Sequence, residues 1–411
     1  MDEKIGVIGL GYVGLPLLAA IAKAGLPCVG FDVDNARVSQ LRSGVDRTSE
    51  LTESDLLAIS HVAEFSCEES SLSSCTFYIV TVPTPVTEDN TPDLTYLKQA
   101  STSLGSRLKR GDVVVFESTV FPGATEEVCV PIIEEVSGLK YSEDFYVGYS
   151  PERINPGDKL RPLHSIPKII SGSCSMALER IHKVYSSFIT ANLHKAPTIK
   201  VAEAAKVLEN IQRDVNIALI NEVHQIFDLM SIDTGSVIDA ASTKWNFMNV
   251  KPGLVGGHCI GVDPHYLIHK SVGLGFVPNL VRNAREINEG MSTWLVNRFL
   301  RFCFARSIDL SSARILILGY TFKPNCPDTR NTKVKRVIND LLSLGALISV
   351  WDPLLESTPA SFEKNIPSIF VDSPNENYDV GIICTPHEAV VEFVNGAKFP
   401  VFDFRKLERS F

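Results

Sequence analysis

The sequence predicts an α/β protein, in which two Rossmann-like doubly wound parallel-sheet domains are joined by a helical central domain containing one long helix. Three observations predict it. From the start of the chain, short runs that are apolar on both faces alternate with amphipathic stretches, as buried parallel strands and their helical crossovers do. A segment from Val201 to Met230 without Pro or Gly, with Ala, Leu, Ile and Val at helical spacing, then breaks that rhythm. At 1.5 Å per residue it reaches about 45 Å, long enough to bridge domains or join subunits. After Ser312 the strand–helix alternation resumes.

The first domain, residues 1–196, reads as strands at Ile5 to Gly9, Pro27 to Asp32, Thr76 to Val82, Asp112 to Glu117 and Phe145 to Tyr149. Between the first strand and the helical Leu15 to Ala24 stands Gly9-Leu10-Gly11-Tyr12-Val13-Gly14. Its glycines permit a tight turn, close approach of a pyrophosphate and helix–strand contact, and the helix N-terminus supplies a positive dipole end. Alone this pattern is weak, but Asp32 closes the next strand, where a carboxylate accepts from ribose hydroxyls and repels a 2′-phosphate. The cofactor expected is therefore NAD rather than NADP.

The central domain, residues 197–305, holds the long helix and a second helical region ending near Phe304, interrupted by the Gly-rich Lys251 to Gly261. The last domain, residues 306–411, has strands at Arg314 to Gly319, Ala346 to Trp351, Tyr378 to Thr385 and Pro400 to Phe404, with a helix near Lys333 to Leu344. Gly30-Phe31-Asp32 and Val350-Trp351-Asp352 both end a second strand on an acid. The echo fails at Leu318-Gly319-Tyr320-Thr321-Phe322-Lys323, which lacks the second and third glycine. This domain is expected to bind a nucleotide differently.

Composition narrows the function. The chain has 411 residues, 45% hydrophobic and 21% charged, in the range of ordinary globular domains. A net charge of -9 repels phosphate backbones and anionic lipid, so neither nucleic acid nor a membrane is expected as a partner. Met1 to Lys4 lacks signal-peptide order, and no apolar run approaches the roughly 20 residues of a membrane span, so the chain is expected in the cytoplasm. Nine cysteines without a CxxC pair or metal-ligand spacing read as reduced thiols, with no metal site. Cys28 and Cys384 lie in apolar runs and read as core.

Cys259 differs, in Gly256-Gly257-His258-Cys259-Ile260-Gly261-Val262-Asp263. Flanking glycines let a ligand approach closely, so a nucleophile is favoured over the buried structural thiol that cysteine more often is. Lys206 and Asn210, four apart, share one face of the long helix and serve either a site or a solvated stripe. Ser118-Thr119-Val120-Phe121-Pro122-Gly123 and Ser150-Pro151-Glu152-Arg153 each follow a strand, where doubly wound sheets gather ligands, although plain turn chemistry uses the same residues.

Taken in order, GLGYVG, VPTP, STVFPG, SPERINPGDK, AEAAKVLEN, GGHCIGVDP and GYTFKPNCPDTRNT resemble the nucleotide-sugar 6-dehydrogenases, the family of UDP-glucose and GDP-mannose dehydrogenases. Glu152 to Lys159 and Gly257-His258-Cys259 look closest to the branch acting on UDP-N-acetylhexosamines. The resemblance implies oxidation of a primary alcohol to a carboxylate with two NAD. Cys259 is then the covalent nucleophile, Lys206 and Asn210 stabilise an oxyanion, Asp263 and Thr119 orient water and reacting oxygens, and Glu152 is a general base. It places Gly9, Gly11, Tyr12, Val13, Gly14, Asp32, Arg37, Thr84, Thr119 and Arg330 around NAD. The UDP-sugar falls to Glu152, Arg153, Asn155, Lys206, Asn210, Gly253, Gly257 and Lys323, and a homodimer to the long helix. One departure is Pro156, where the glucose branch carries a second glutamate. Within the family UDP-GlcNAc is the substrate favoured, with UDP-glucose or UDP-ManNAc as the alternative, and two other readings stand beside it: a two-electron β-hydroxyacid-type dehydrogenase, and a protein that only binds NAD.

Overall fold

The computed structural model describes residues 3–48, 50–154, 161–355, 358, 362, 368–374 and 377–407. Asn155 and Pro156 lie outside them. The chain forms two compact units, Met1–Glu209 with His265–Leu274, and Asn210–Pro264 with Gly275–Phe411.

In the first unit the elements run β1 (Ile5–Ile8), α1 (Gly14–Lys23), β2 (Cys28–Phe31), α2 (Asn35–Arg42), α3 (Glu53–Ile59), β3 (Ala63–Ser66) and β4 (Phe77–Val80). They continue with α4 (Thr95–Gly105), β5 (Val113–Phe116), α5 (Val130–Ser137), β6 (Tyr146–Tyr149), β7 (Lys168–Gly172), α6 (Ser175–Tyr185) and β8 (Leu193–Lys195). The eight strands form one sheet in the order β3-β2-β1-β4-β5-β6-β7-β8. Strand order reverses between β1 and β4, so the crevice where such sheets take ligands opens beyond the ends of those strands. Ile5, Val7, Phe77, Ile79, Val113 and Val115 are fully buried on one face and Tyr78, Val80, Val114 and Phe116 on the other, as in a sheet covered on both sides. The sheet departs from the all-parallel expectation at β7, which pairs antiparallel with β6 through Gly148–Gly172 and Tyr149–Ser171, while β8 runs parallel to β7.

The long helix, α7 (Ile199–Leu229), is within two residues of its expected bounds and contributes residues to both units. It is followed by α8 (Thr234–Ala241), α9 (Asp263–Gly273) and α10 (Asn279–Ala305). The second sheet is formed by β9 (Arg314–Leu318), β10 (Leu347–Trp351), β11 (Ser368–Phe370), β12 (Val380–Ile383) and β13 (Val401–Phe402), with α11 (Val334–Leu342) and α12 (Glu388–Asn395). Its order is β11-β10-β9-β12-β13, every pairing parallel. On α10, Met291, Leu295, Phe299 and Phe302 recur at helical spacing and share one core with Ile315, Ile317, Val337 and Ile382.

Candidate active site

The glycine turn after β1 has the form a dinucleotide needs. Gly9 has φ +94°, a conformation costly for a side-chain-bearing residue, and its N–H donates to Phe31 O at 2.8 Å. A Cβ at Gly14 would stand 1.8 Å from Gly9 O, so this position must be glycine for α1 to pack against the turn. A Cβ at Gly11, in contrast, meets nothing within 4 Å, which leaves the room a pyrophosphate requires. Tyr12 and Val13 are half-buried beside it. Nothing acidic stands in the first turn of α1, so its dipole favours an anion. Asp32, half-buried, accepts from Leu10 N at 2.8 Å and Asp34 N at 2.9 Å, and a carboxylate has lone pairs left for ribose. These residues fit NAD.

Arg37 lies behind the turn. It is 1% exposed, donates to Leu10 O at 2.9 Å and pairs with Asp46 at 2.7 Å. The guanidinium that the resemblance sets around NAD thus holds the loop from its inner side. Beyond β4 and β5 the connections are stitched together: Thr84 Oγ1 donates to Thr119 O at 2.7 Å, and Tyr266 Oη to Thr84 O at 2.7 Å. Glu203 on α7, fully buried, accepts from the backbone of Gly123 and Thr125 and so caps the segment that follows Thr119.

Past β6, the Glu152 carboxylate accepts from the N–H of Arg153 and of Ile154, each at 2.6 Å, and pairs with Lys168 at 3.1 Å. Arg153 makes a two-toothed pair with Glu209. Lys206 is 8% exposed, and among the described residues its ammonium meets no hydrogen-bond or ion-pair partner. The stem is buried while the ammonium is left open, so it is placed to meet an anion or a developing negative charge. Asn210 and Asp263, both buried, are joined by a hydrogen bond from Asn210 Nδ2.

Cys259 sits one turn ahead of α9, its carbonyl accepting from Val262 N at 3.1 Å and Asp263 N at 2.9 Å. Of the nine cysteines, none in a disulfide, it is the exposed one. Burial pushes Cys28 and Cys384 up to about 12, as befits core residues. The loop is anchored from within its own unit. Gly257 has φ +80°, its N–H donates to Arg330 O at 3.1 Å, and Asn331 Nδ2 donates to its carbonyl at 3.2 Å. Upstream, Asn221 bonds both the N–H and the carbonyl of Gly253, at 2.9 and 3.0 Å. Lys323 lies half-buried over the Phe322 ring, and Arg330 pairs with Asp328 through two nitrogens while 35% of its side chain stays exposed.

The residues that sequence reading missed are Glu117, Lys168, Glu203 and Asn221. A lysine opening the apolar Lys168-Ile169-Ile170 was a signal, since a charge there needs a buried partner. Among the described residues no group of three or more His, Cys, Asp or Glu is placed to hold a metal, and no helix is long and apolar enough to cross a membrane.

Three domains of one family match along the chain. Residues 3–189 match the NAD binding domain of the UDP-glucose/GDP-mannose dehydrogenase family, residues 200–290 its central domain, and residues 316–408 its UDP binding domain. A UDP-N-acetyl-D-glucosamine 6-dehydrogenase of Pseudomonas aeruginosa is 48% identical over 410 residues, covering 100% of this chain and 95% of that protein. One from Salmonella typhi is 46% identical, covering 94% and 91%. The solved structure of a UDP-D-ManNAc dehydrogenase from Pyrococcus horikoshii superposes with a TM-score of 0.87 at 29% identity, covering 99% of this chain and 96% of that one. The chain belongs to the UDP-glucose/GDP-mannose dehydrogenase family and is an NAD-dependent UDP-sugar dehydrogenase.

Proposed function

We propose that the chain oxidises the C6 hydroxyl of a UDP-N-acetylhexosamine, UDP-N-acetylglucosamine in the first place, to the uronate, with Cys259 as covalent carrier. The observation that carries this reading is the exposure of Cys259 in a glycine-flanked loop. The names of the relatives at 48% and 46% identity support the substrate. The reading assigns residues 1–196 to NAD, 197–305 to the central helices and 306–411 to UDP.

NAD supplies the hydride acceptor, twice per sugar. Loss of the hydroxyl proton and one hydride leaves C6 as an aldehyde. The Cys259 thiolate adds to it, forming a C–S bond and holding a species that otherwise escapes. Loss of the second hydride gives a thioester, and water breaks its C–S bond to release carboxylate and thiol. One alcohol and one water thus become one carboxylate, two hydrides and three protons. Lys206, with Asn210, stabilises the oxyanion. Asp263 and Thr119 orient water and the reacting oxygens, and Glu152 takes protons through water as general base. Arg153, Asn155, Gly253, Gly257 and Lys323 bind the UDP-sugar, and Arg330 the phosphates of NAD.

The same reading makes the protein a cytoplasmic homodimer. None of the nine cysteines is in a disulfide, and on α7 the exposed Leu219, Ile226 and Leu229 offer an apolar stripe for a second copy. The test is NADH production on a panel of UDP-hexoses and UDP-N-acetylhexosamines, with Cys259→Ala alongside. Two NADH per sugar are expected from the wild type, and no uronate from Cys259→Ala, which still binds NAD. One NADH per sugar overturns the four-electron claim.

A further inference from the structure

Behind Glu152 stands a buried cluster. Lys168, first residue of β7, is 2% exposed, and an ammonium has three protons to place. Its Nζ donates to Glu117 Oε2 at 2.9 Å, Glu152 Oε2 at 3.1 Å and Pro151 O at 3.3 Å. Glu117, just past β5, accepts the Tyr185 hydroxyl of α6 on its other oxygen, and the other oxygen of Glu152 accepts the two main-chain N–H groups. Side-chain exposure is 0% at Glu117, 3% at Lys168 and 11% at Glu152, so Glu152 is where the cluster meets the outside.

Two acids around one cation is a poor device for stability, since desolvation of buried ions generally offsets their attraction and the cluster has a charge to spare. We propose that Lys168, braced by Glu117 and Tyr185, is a positioning residue that keeps the Glu152 carboxylate charged and fixes the oxygen it presents. The two acids are driven apart by their surroundings. Burial pushes Glu117 up to about 7, helped by repulsion from Glu152 and opposed by Lys168. Burial also works against an ionised Glu152, but Lys168 and the backbone N–H groups prevail and hold it below the usual carboxylate range. On the acidic side of neutrality the surplus proton therefore goes to Glu117 before Glu152, and Glu152 stays ionised.

This inference rests on the reading of Glu152 as general base, and the experiment separates the two. Activity on the UDP-sugar is measured from pH 6 to pH 9 for Lys168→Met, Lys168→Arg, Glu117→Gln and Glu152→Gln, each normalised to wild type. Lys168→Met leaves a buried carboxylate without its cation, so a new acidic limb is expected in kcat/KM. That means a loss of about tenfold or more at pH 6 that recovers by pH 9. Lys168→Arg keeps the charge, Glu117→Gln mimics the protonated acid, and both are expected to follow the wild-type profile. Glu152→Gln is expected to lose about 100-fold at every pH. Equal losses for Lys168→Met at pH 6 and pH 9, or none, overturn the positioning role while a crippled Glu152→Gln keeps the base. A fully active Glu152→Gln removes the base itself. Should Lys168→Met not fold, Lys168→Gln carries the same comparison.

Discussion

The two sheets share a strand order around their first strand and both set an aspartate directly after the second strand, yet they use that acid in opposite ways. Asp32 is half-buried and gives two hydrogen bonds' worth of its capacity to the backbone. Asp352 is 2% exposed and accepts from Tyr320 N at 2.7 Å, Thr321 N at 2.9 Å, Leu354 N at 3.0 Å and His387 Nε2 at 3.1 Å. The turns diverge likewise. Gly9 and Gly319 both have positive φ and lie against a threonine, tightly at Thr81 and too closely for a side chain at Thr385. After that common start one turn opens at Gly11, while the other fills with the buried Tyr320 and Thr321. The strand order alone does not decide which nucleotide is bound; the side chains set into the first turn do.

Swapping the fate of the two acids tests this hardest. Asp352→Ala leaves three backbone N–H groups and a histidine without their acceptor, and a loss of about 3–5 kcal/mol is expected in urea unfolding. Asp32→Ala is expected to cost under about 1 kcal/mol of stability but to weaken NAD about 10- to 100-fold, measured by titration. Equal destabilisation by both breaks the contrast. Gly11→Val comes next. A side chain there meets open space, so Tm is expected to stay within about 1 °C while NAD affinity falls about 100-fold, read by fluorescence.

The smallest expected effect belongs to the second unit. Burial holds His224 below its ordinary 6.5, opposed by its bond to Phe404 O. The unfolded chain therefore binds the proton first, and stability is expected to fall as pH drops below about 6.5, by at most about 1.4 kcal/mol per pH unit. His224→Gln is expected to flatten that slope in melts between pH 7 and pH 5, and an unchanged slope removes His224 as its cause.

Much of this contrast was legible in advance. The glycine turn, Asp32 and the missing glycines after Gly319 are local patterns, and local backbone geometry follows from them. The strands β1, β2, β4, β5 and β6 were found because each is apolar on both faces. Their neighbours were not. β3 contains Glu64, β7 opens on Lys168, and β8 and β11 have three residues each, so none shows the apolar run that marks a buried strand. Arg37 shows a different limit. Its distance along the chain from Gly11 fits a cofactor contact as well as it fits the inner side of the turn, and only packing against Asp46 distinguishes them.

The reversed strand β7 has a topological corollary. Its opening residue, unlike that of every other strand in the sheet except its partner β8, stands at the edge where ligands gather. The chain therefore leaves that edge after Glu152 and is back on it at Lys168, with the ladder to β6, rather than the number of intervening residues, setting where it returns. A change of chain length between those two points therefore leaves the pairing of β7 with β6, and with it the place of Lys168 beside Glu152, where the ladder puts it.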